Sequence, residues 1–112
     1  MQTIHLASDH AGFSLKERLA RFLADKGIAV KDEGTYSTES CDYPVYAHRL
    51  CQAVTRDQGR GILICGTGIG VSIAANRHPA IRAALCTTEL HARLARRHND
   101  ANVLCLGARI TG

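Results

Sequence analysis

Ile62-Leu63-Ile64-Cys65-Gly66-Thr67-Gly68-Ile69-Gly70 is the stretch from which the fold can be read. Its first four residues form an unbroken apolar run, as expected of a strand covered on both faces. Glycines at alternate positions then break the strand, and Val71, Ile73, Ala74 and Ala75 resume as a helix. A doubly buried strand that turns through glycines into a helix is half of a βαβ unit. The chain on either side should therefore continue the alternation.

It does. Toward the N-terminus, Ile4 to Ser8 reads as a short strand ending at Asp9-His10-Ala11-Gly12. Leu15, Leu19, Phe22 and Leu23 then mark an amphipathic helix closed by Gly27, and Ile28 to Val30 reads as a second strand. After a polar loop from Asp32 to Asp42, Asp42 is placed to cap a second helix. Tyr43 and Pro44 fall in its first turn, and Val45, Leu50 and Val54 form its apolar stripe. Toward the C-terminus, Ile81 to Cys86 is strand four, Thr88 to Arg97 helix four and Asn102 to Leu106 strand five. The expected class is α/β: a three-layer α/β/α fold on a five-stranded parallel, Rossmann-like sheet, with residues 1–112 as a single domain. Only residues 107–112 follow strand five, so one face of the sheet needs a cover. A partner subunit or a longer chain would supply it.

Composition narrows the function classes. A chain of 112 residues buries roughly 65% of its unfolded surface, enough for one core. Aromatics are 4% and Trp is absent, so Ile, Leu, Val and Ala must build that core. The formal charge of +4 suits an anionic small molecule; the basic residues are scattered and not interleaved with aromatics, which argues against nucleic acid. Five cysteines without a CxxC or a zinc-like Cys/His spacing exclude a zinc module and fit a reducing cytoplasm. The Met1 to Leu6 stretch lacks the basic and apolar regions of a signal peptide, and no apolar run is long enough to span a membrane.

Ligands in open α/β sheets bind beyond the carboxyl ends of the strands. Asp9-His10 and Cys65 with its glycine loop fall there. His98-Asn99-Asp100 falls before strand five, at the opposite edge, and reaches such a site only if a second subunit delivers it. Gly66-Thr67-Gly68-Ile69-Gly70 offers backbone N–H groups to an anion at a helix start, or is simple punctuation. It fits neither the dinucleotide fingerprint nor a Walker loop. Cys65, beside that helix start, is placed as a thiolate base or nucleophile, or is a buried strand end. Cys41, Cys51, Cys86 and Cys105 read as small hydrophobes. His10 is a phosphate ligand or a cap, Asp9 a functional carboxylate or a turn residue, and His98 a functional group or a cation favoured by the helix dipole. Arg93, Arg96 and Arg97 read as a solvated face, Arg109 as ambiguous, and His5, His48, His78 and His91 as structural or solvated.

Several of these segments together resemble a known family. Ser8-Asp9-His10-Ala11-Gly12, Asp42-Tyr43-Pro44, Ile64-Cys65-Gly66-Thr67-Gly68-Ile69-Gly70, Ala74-Ala75-Asn76 and His98-Asn99-Asp100-Ala101-Asn102-Val103 are similar, in order and spacing, to the motifs of the type B ribose-5-phosphate and galactose-6-phosphate isomerases. The resemblance implies interconversion of ribose 5-phosphate and ribulose 5-phosphate through an enediolate. Allose or galactose 6-phosphate is an alternative substrate, and a non-catalytic sugar-phosphate binder an alternative function. It implies a homodimer or dimer of dimers with shared active sites, and neither a metal nor an organic cofactor. Cys65 resembles the base that takes the proton beside the carbonyl, and Thr67 the hydroxyl that shuttles protons between the substrate oxygens. The N–H groups from Gly66 through Gly68 and Ile69 to Gly70 would stabilise the enediolate. Asp9 and the partner's His98 resemble the pair that opens the sugar ring, Asn99 a binder of sugar oxygens, and Tyr43 a pocket wall. His10 and Arg109 resemble phosphate ligands. Some relatives carry a glutamate base in the loop, but Ile69 to Ala75 contains no carboxylate, which leaves Cys65. The family pattern continues past Gly112 with a helix bearing two further phosphate-binding arginines.

Two other thiol chemistries fit less well. A phosphatase loop of Cys-x5-Arg would need an arginine where Val71 stands, and a redox pair would need a neighbouring second cysteine.

Overall fold

The computed structural model describes residues 3–37, 39 and 42–110; Cys41 lies outside them. The chain alternates β1 (Ile4–Ser8), α1 (Phe13–Asp25), β2 (Val30–Asp32), α2 (Tyr43–Asp57), β3 (Arg60–Cys65), α3 (Ile69–Ala75), β4 (Ala83–Leu85), α4 (Glu89–Asn99) and β5 (Val103–Gly107). All five strands are parallel, in the order β2-β1-β3-β5-β4. Strand order reverses between β1 and β3, whose ends stand side by side. That switch point is where α/β sheets place ligands.

α2 and α3 pack on one face, over Ala7, Leu63, Cys65, Val103 and Cys105, with Leu50, Val54, Val71 and Ala75 completing a buried core. Gly61 lets α2 come close, because a Cβ there would lie 2.7 Å from the Leu50 side chain. α1 and α4 flank the opposite face. Between them runs a groove of about 250 Å³, with Ile62 and Leu104 on its floor and Leu23, Ile28, Ala92 and Ala95 among its walls.

Element boundaries differ from the sequence reading where a helix end claims residues first. β2 begins at Val30 rather than Ile28. Gly27 adopts a φ of +77°, and the N–H groups of Gly27 and Ile28 donate to the Ala24 and Leu23 carbonyls. That is a Schellman closure, and it holds Ile28 against Leu23 instead of in the sheet. β4 is shorter than Ile81 to Cys86 because Ile81 donates to His78 and finishes the turn after α3. α4 runs to Asn99, so His98 and Asn99 are helical, and Thr88 caps it through a hydrogen bond from the His91 N–H. Asp42 occupies the cap position of α2 without a side-chain bond.

Two residues assigned to the apolar faces of their helices are outside them: Phe22 and Val45 are 54% and 50% exposed. Lys16, by contrast, is completely buried in α1.

Candidate active site

Asp9 leaves β1 with its N–H donating to the Ile64 carbonyl at 3.2 Å, so it stands beside the residue preceding Cys65. Its Oδ1 accepts from the Gly12 N–H at 3.1 Å, capping the short 3-10 turn His10–Gly12. Asp9 is therefore a turn cap and also a buried carboxylate at the strand edge. His10 opens that turn, half-buried. The turn hugs the sheet because Gly12 has no Cβ, which would fall 2.7 Å from Ile64.

Cys65 ends β3, buried, and its sulfur accepts the Gly68 N–H at 3.1 Å. Gly68 needs to be glycine on two counts. Its φ is +82°, and a Cβ would lie 2.5 Å from the Leu85 side chain and 2.9 Å from the Leu106 backbone. Thr67 Oγ1 accepts from the Ile69 N–H at 3.2 Å, which fixes the hydroxyl at the start of α3. The end of β5 closes over the loop: Ala108 and Arg109 donate their N–H groups to the Cys65 and Gly66 carbonyls at 2.8 and 2.9 Å. The Arg109 guanidinium then rests against Gly66, and the Tyr43 ring at the start of α2 rests against Gly70.

Asp9, His10, Tyr43, Cys65, Gly66, Thr67, Gly68, Ile69, Gly70 and Arg109 thus gather at one edge of the sheet. His98 and Asn99 do not join them. They end α4 at the opposite edge, where the Asn102 carbonyl meets the N–H of Gly61 at the beginning of β3. There the Asn99 carbonyl accepts from Arg82.

The cysteines divide by environment. Burial pushes Cys51 up to about 11, and raises Cys86 and Cys105 as well. Cys51 and Cys86 donate to the backbone carbonyls of Ala75 and Ala84. Those groups are packed thiols, whereas Cys65 receives a hydrogen bond from a loop N–H. Among the described residues, no group of three or more His, Cys, Asp or Glu side chains is placed to hold a metal ion.

Two clusters, each around a buried Lys16 or His5 side chain, escaped the sequence reading. Lys16 pairs with Asp32, and its ammonium lies 5.2 Å from the Phe13 ring centroid. His5 bridges Glu33 and Asp57, both at 2.9 Å. The available signal for Lys16 was its place between Leu15 and Leu19, one turn after Phe13 on the face turned to the sheet. For His5 it was a histidine inside an apolar strand.

A model of the ribose/galactose isomerase family matches residues 4–112. The chain belongs to that family. Ribose-5-phosphate isomerase B of Escherichia coli (strain K12) is 47% identical over 113 aligned positions, covering all of this chain and 76% of that relative. A putative sugar phosphate isomerase of Rickettsia bellii is 50% identical over 107 positions, 95% of this chain and 74% of that relative. Among solved members of the family, the Thermotoga maritima ribose 5-phosphate isomerase superposes with a TM-score of 0.97 at 54% identity, over 99% of this chain and 77% of that one. The Mycoplasma genitalium ribose-5-phosphate isomerase B, solved with bound ribulose-5-phosphate, gives 0.94 at 42% identity, over 98% and 74%. Among the described residues no helix is long and apolar enough to cross a membrane.

Proposed function

We propose that this chain, as one domain, interconverts ribose 5-phosphate and ribulose 5-phosphate, with Cys65 as the base. The observation that carries the residue assignment is the hydrogen bond from the Gly68 N–H to the Cys65 sulfur, at the strand edge beside Asp9. That donor fixes the sulfur at the end of β3, facing the loop and the start of α3. The family relation supports the reaction, and the solved relative with ribulose-5-phosphate supports the substrate.

Isomerisation needs a proton taken from C2 of the open aldose and returned to C1, with the hydroxyl proton on O2 transferred to O1. No electrons leave the substrate. Cys65 removes the C2 proton and the negative charge spreads over the O1–C1–C2–O2 unit as an enediolate. N–H groups of the Gly66–Gly70 loop stabilise that charge as it develops. The Thr67 hydroxyl, held at the start of α3, carries the proton between O2 and O1. The same thiol returns its proton to C1. Asp9 works one step earlier, with His98 of the partner subunit, by opening the sugar ring. The partner's Asn99 holds sugar oxygens, Tyr43 walls the pocket, and His10 and Arg109 take the phosphate.

A homodimer, or a dimer of dimers, is part of the same proposal. His98 and Asn99 cannot serve the Cys65 of their own chain from the far edge of the sheet. Tyr43, Val45, Ile69 and Ile73 expose apolar surface along α2 and α3, close to the loop, as a subunit contact would. Cys51, Cys65, Cys86 and Cys105 are free thiols, which supports a reducing cytoplasm as the compartment.

The deciding experiment is an isomerase assay on ribose 5-phosphate with the wild type and Cys65→Ala. The variant should fold and lose about 10²–10⁴-fold in turnover, the usual yield of a positioned base. Wild-type turnover in Cys65→Ala would remove the thiol from the mechanism.

A further inference from the structure

We propose that Lys16 is a positioning residue for Asp9, acting through the segment that follows β2. The ammonium group of Lys16 is fully buried, between the Phe13 and Tyr36 rings, and is paired with Asp32 Oδ2. The other carboxylate oxygen of Asp32 accepts the Gly34 N–H at 2.9 Å. Gly34 in turn gives its carbonyl to the Ser8 N–H at 2.7 Å, and the Ser8 carbonyl accepts the Thr35 N–H at 2.9 Å. Ser8 is the residue before Asp9. A continuous path of an ion pair and three hydrogen bonds therefore runs from α1, across the end of β2, to the backbone that aims the Asp9 carboxylate.

The arrangement is costly unless it serves something. A lysine with no solvent exposure gives up its hydration, and the pairing offsets that cost without a clear gain over an apolar pair of similar volume. What the ion pair supplies is direction. Asp32 is held by Lys16 on one oxygen and holds the loop with the other, so the 33–35 segment is fixed in height against β1. The Tyr46 ring closes over Gly34 from the other side, where a Cβ would lie 2.6 Å from its edge. Without the charge on Lys16, Asp32 is free to turn toward water, and the loop loses its anchor on the α1 side. Ring opening requires Asp9 within hydrogen-bond reach of a sugar oxygen, and small displacements in such a geometry are expensive in rate.

The role assigned to Lys16 rests on the ring-opening role proposed for Asp9, and the two are separable by experiment. Ribulose 5-phosphate is acyclic, because its C5 oxygen carries the phosphate and cannot close a five-membered ring. Solvent deuterium exchange at its C1 therefore reports proton abstraction alone, while turnover of ribose 5-phosphate also includes ring opening. Lys16→Met, Asp9→Asn and the double variant Lys16→Met/Asp32→Asn are measured by both assays, with amide exchange at Ser8 and Thr35 followed in each. The double variant removes both charges, so it folds even if Lys16→Met leaves Asp32 poorly satisfied.

Lys16→Met and the double variant should lose about tenfold or more in ribose 5-phosphate turnover. Deuterium exchange into ribulose 5-phosphate should stay within about twofold of wild type, since the base is untouched. Amide protection should fall at Ser8 and Thr35. Equal losses in both assays would make Lys16 a merely structural residue and overturn the proposal, as would wild-type protection at both amides. Full ribose 5-phosphate turnover in Asp9→Asn, with the two amides loosened in Lys16→Met, would instead reject the role of Asp9 and leave Lys16 as the anchor of the loop alone.

Discussion

Ser8 carries the one buried side-chain oxygen without a hydrogen-bond partner among the described residues. A buried hydroxyl with no partner costs about 1–3 kcal/mol in desolvation. Ser8→Ala should therefore hold stability or raise it by about 1 kcal/mol, read as the urea midpoint, with the slope unchanged. A clear loss of stability would show that the hydroxyl has a partner after all. The His5 bridge makes a second prediction. The Arg56 guanidinium first, and the His5 ring after it, hold the Asp57 carboxyl below its ordinary value, against an opposing desolvation. A carboxyl lowered on folding stabilises the native state above its unfolded pKa, and that contribution disappears as pH falls through the folded one. Wild type should thus lose more stability than Asp57→Asn below about pH 4. Identical acid limbs in denaturation curves of the two proteins would contradict this.

At the scale of elements, the end of β5 and the Cys65 loop are packed together and hydrogen-bonded. Gly107 lies under Thr67, so that an added Cβ would stand 2.5 Å from the Thr67 backbone. Backbone cannot step aside as a flexible side chain can. Gly107→Ala should accordingly displace the loop and cut turnover by about 10²-fold, the scale of a misplacement near 1 Å, with secondary structure retained by circular dichroism. Activity near wild type would mean that the loop tolerates the shift. Gly61 is the comparison on β3, away from the loop. Gly61→Val would force the Leu50 side chain and α2 outward, costing about 1–3 kcal/mol of stability with a much smaller effect on turnover.

The whole molecule has its candidate groups on two opposite edges of one sheet. That division is intelligible if copies exchange residues across a subunit contact. Mixing His98→Ala with Cys65→Ala chains should then restore activity in hybrids that hold one intact site, and hybrids shown to form but without activity would refute sharing. The exposed apolar strip on α2 and α3 makes the corresponding assembly prediction. Ile73→Glu places a charge on that strip and should shift sedimentation toward the monomer, with isomerase activity lost in parallel.

Much of this protein was legible without coordinates, because its main signals are local. An unbroken apolar run, glycines that cannot continue a strand and helical spacing of Val71, Ala74 and Ala75 each report on neighbours in sequence. The strand–helix alternation and the Cys65 loop followed directly, and the family motifs lie along the same short segments. Helix ends were less legible, since whether Ile28 joins a sheet or a Schellman closure depends on two competing sets of backbone bonds. Lys16 and His5 were not legible at all as partners. Their acidic partners are 16, 28 and 52 residues away in the chain. Local pattern can mark such a lysine as lying on the inward face of a helix, but not which distant aspartate will pair with it there. That His98 and Cys65 stand at opposite ends of the strands was already legible from the alternation of strands and helices, whereas only folding brings Lys16 to Asp32 and His5 to Glu33 and Asp57.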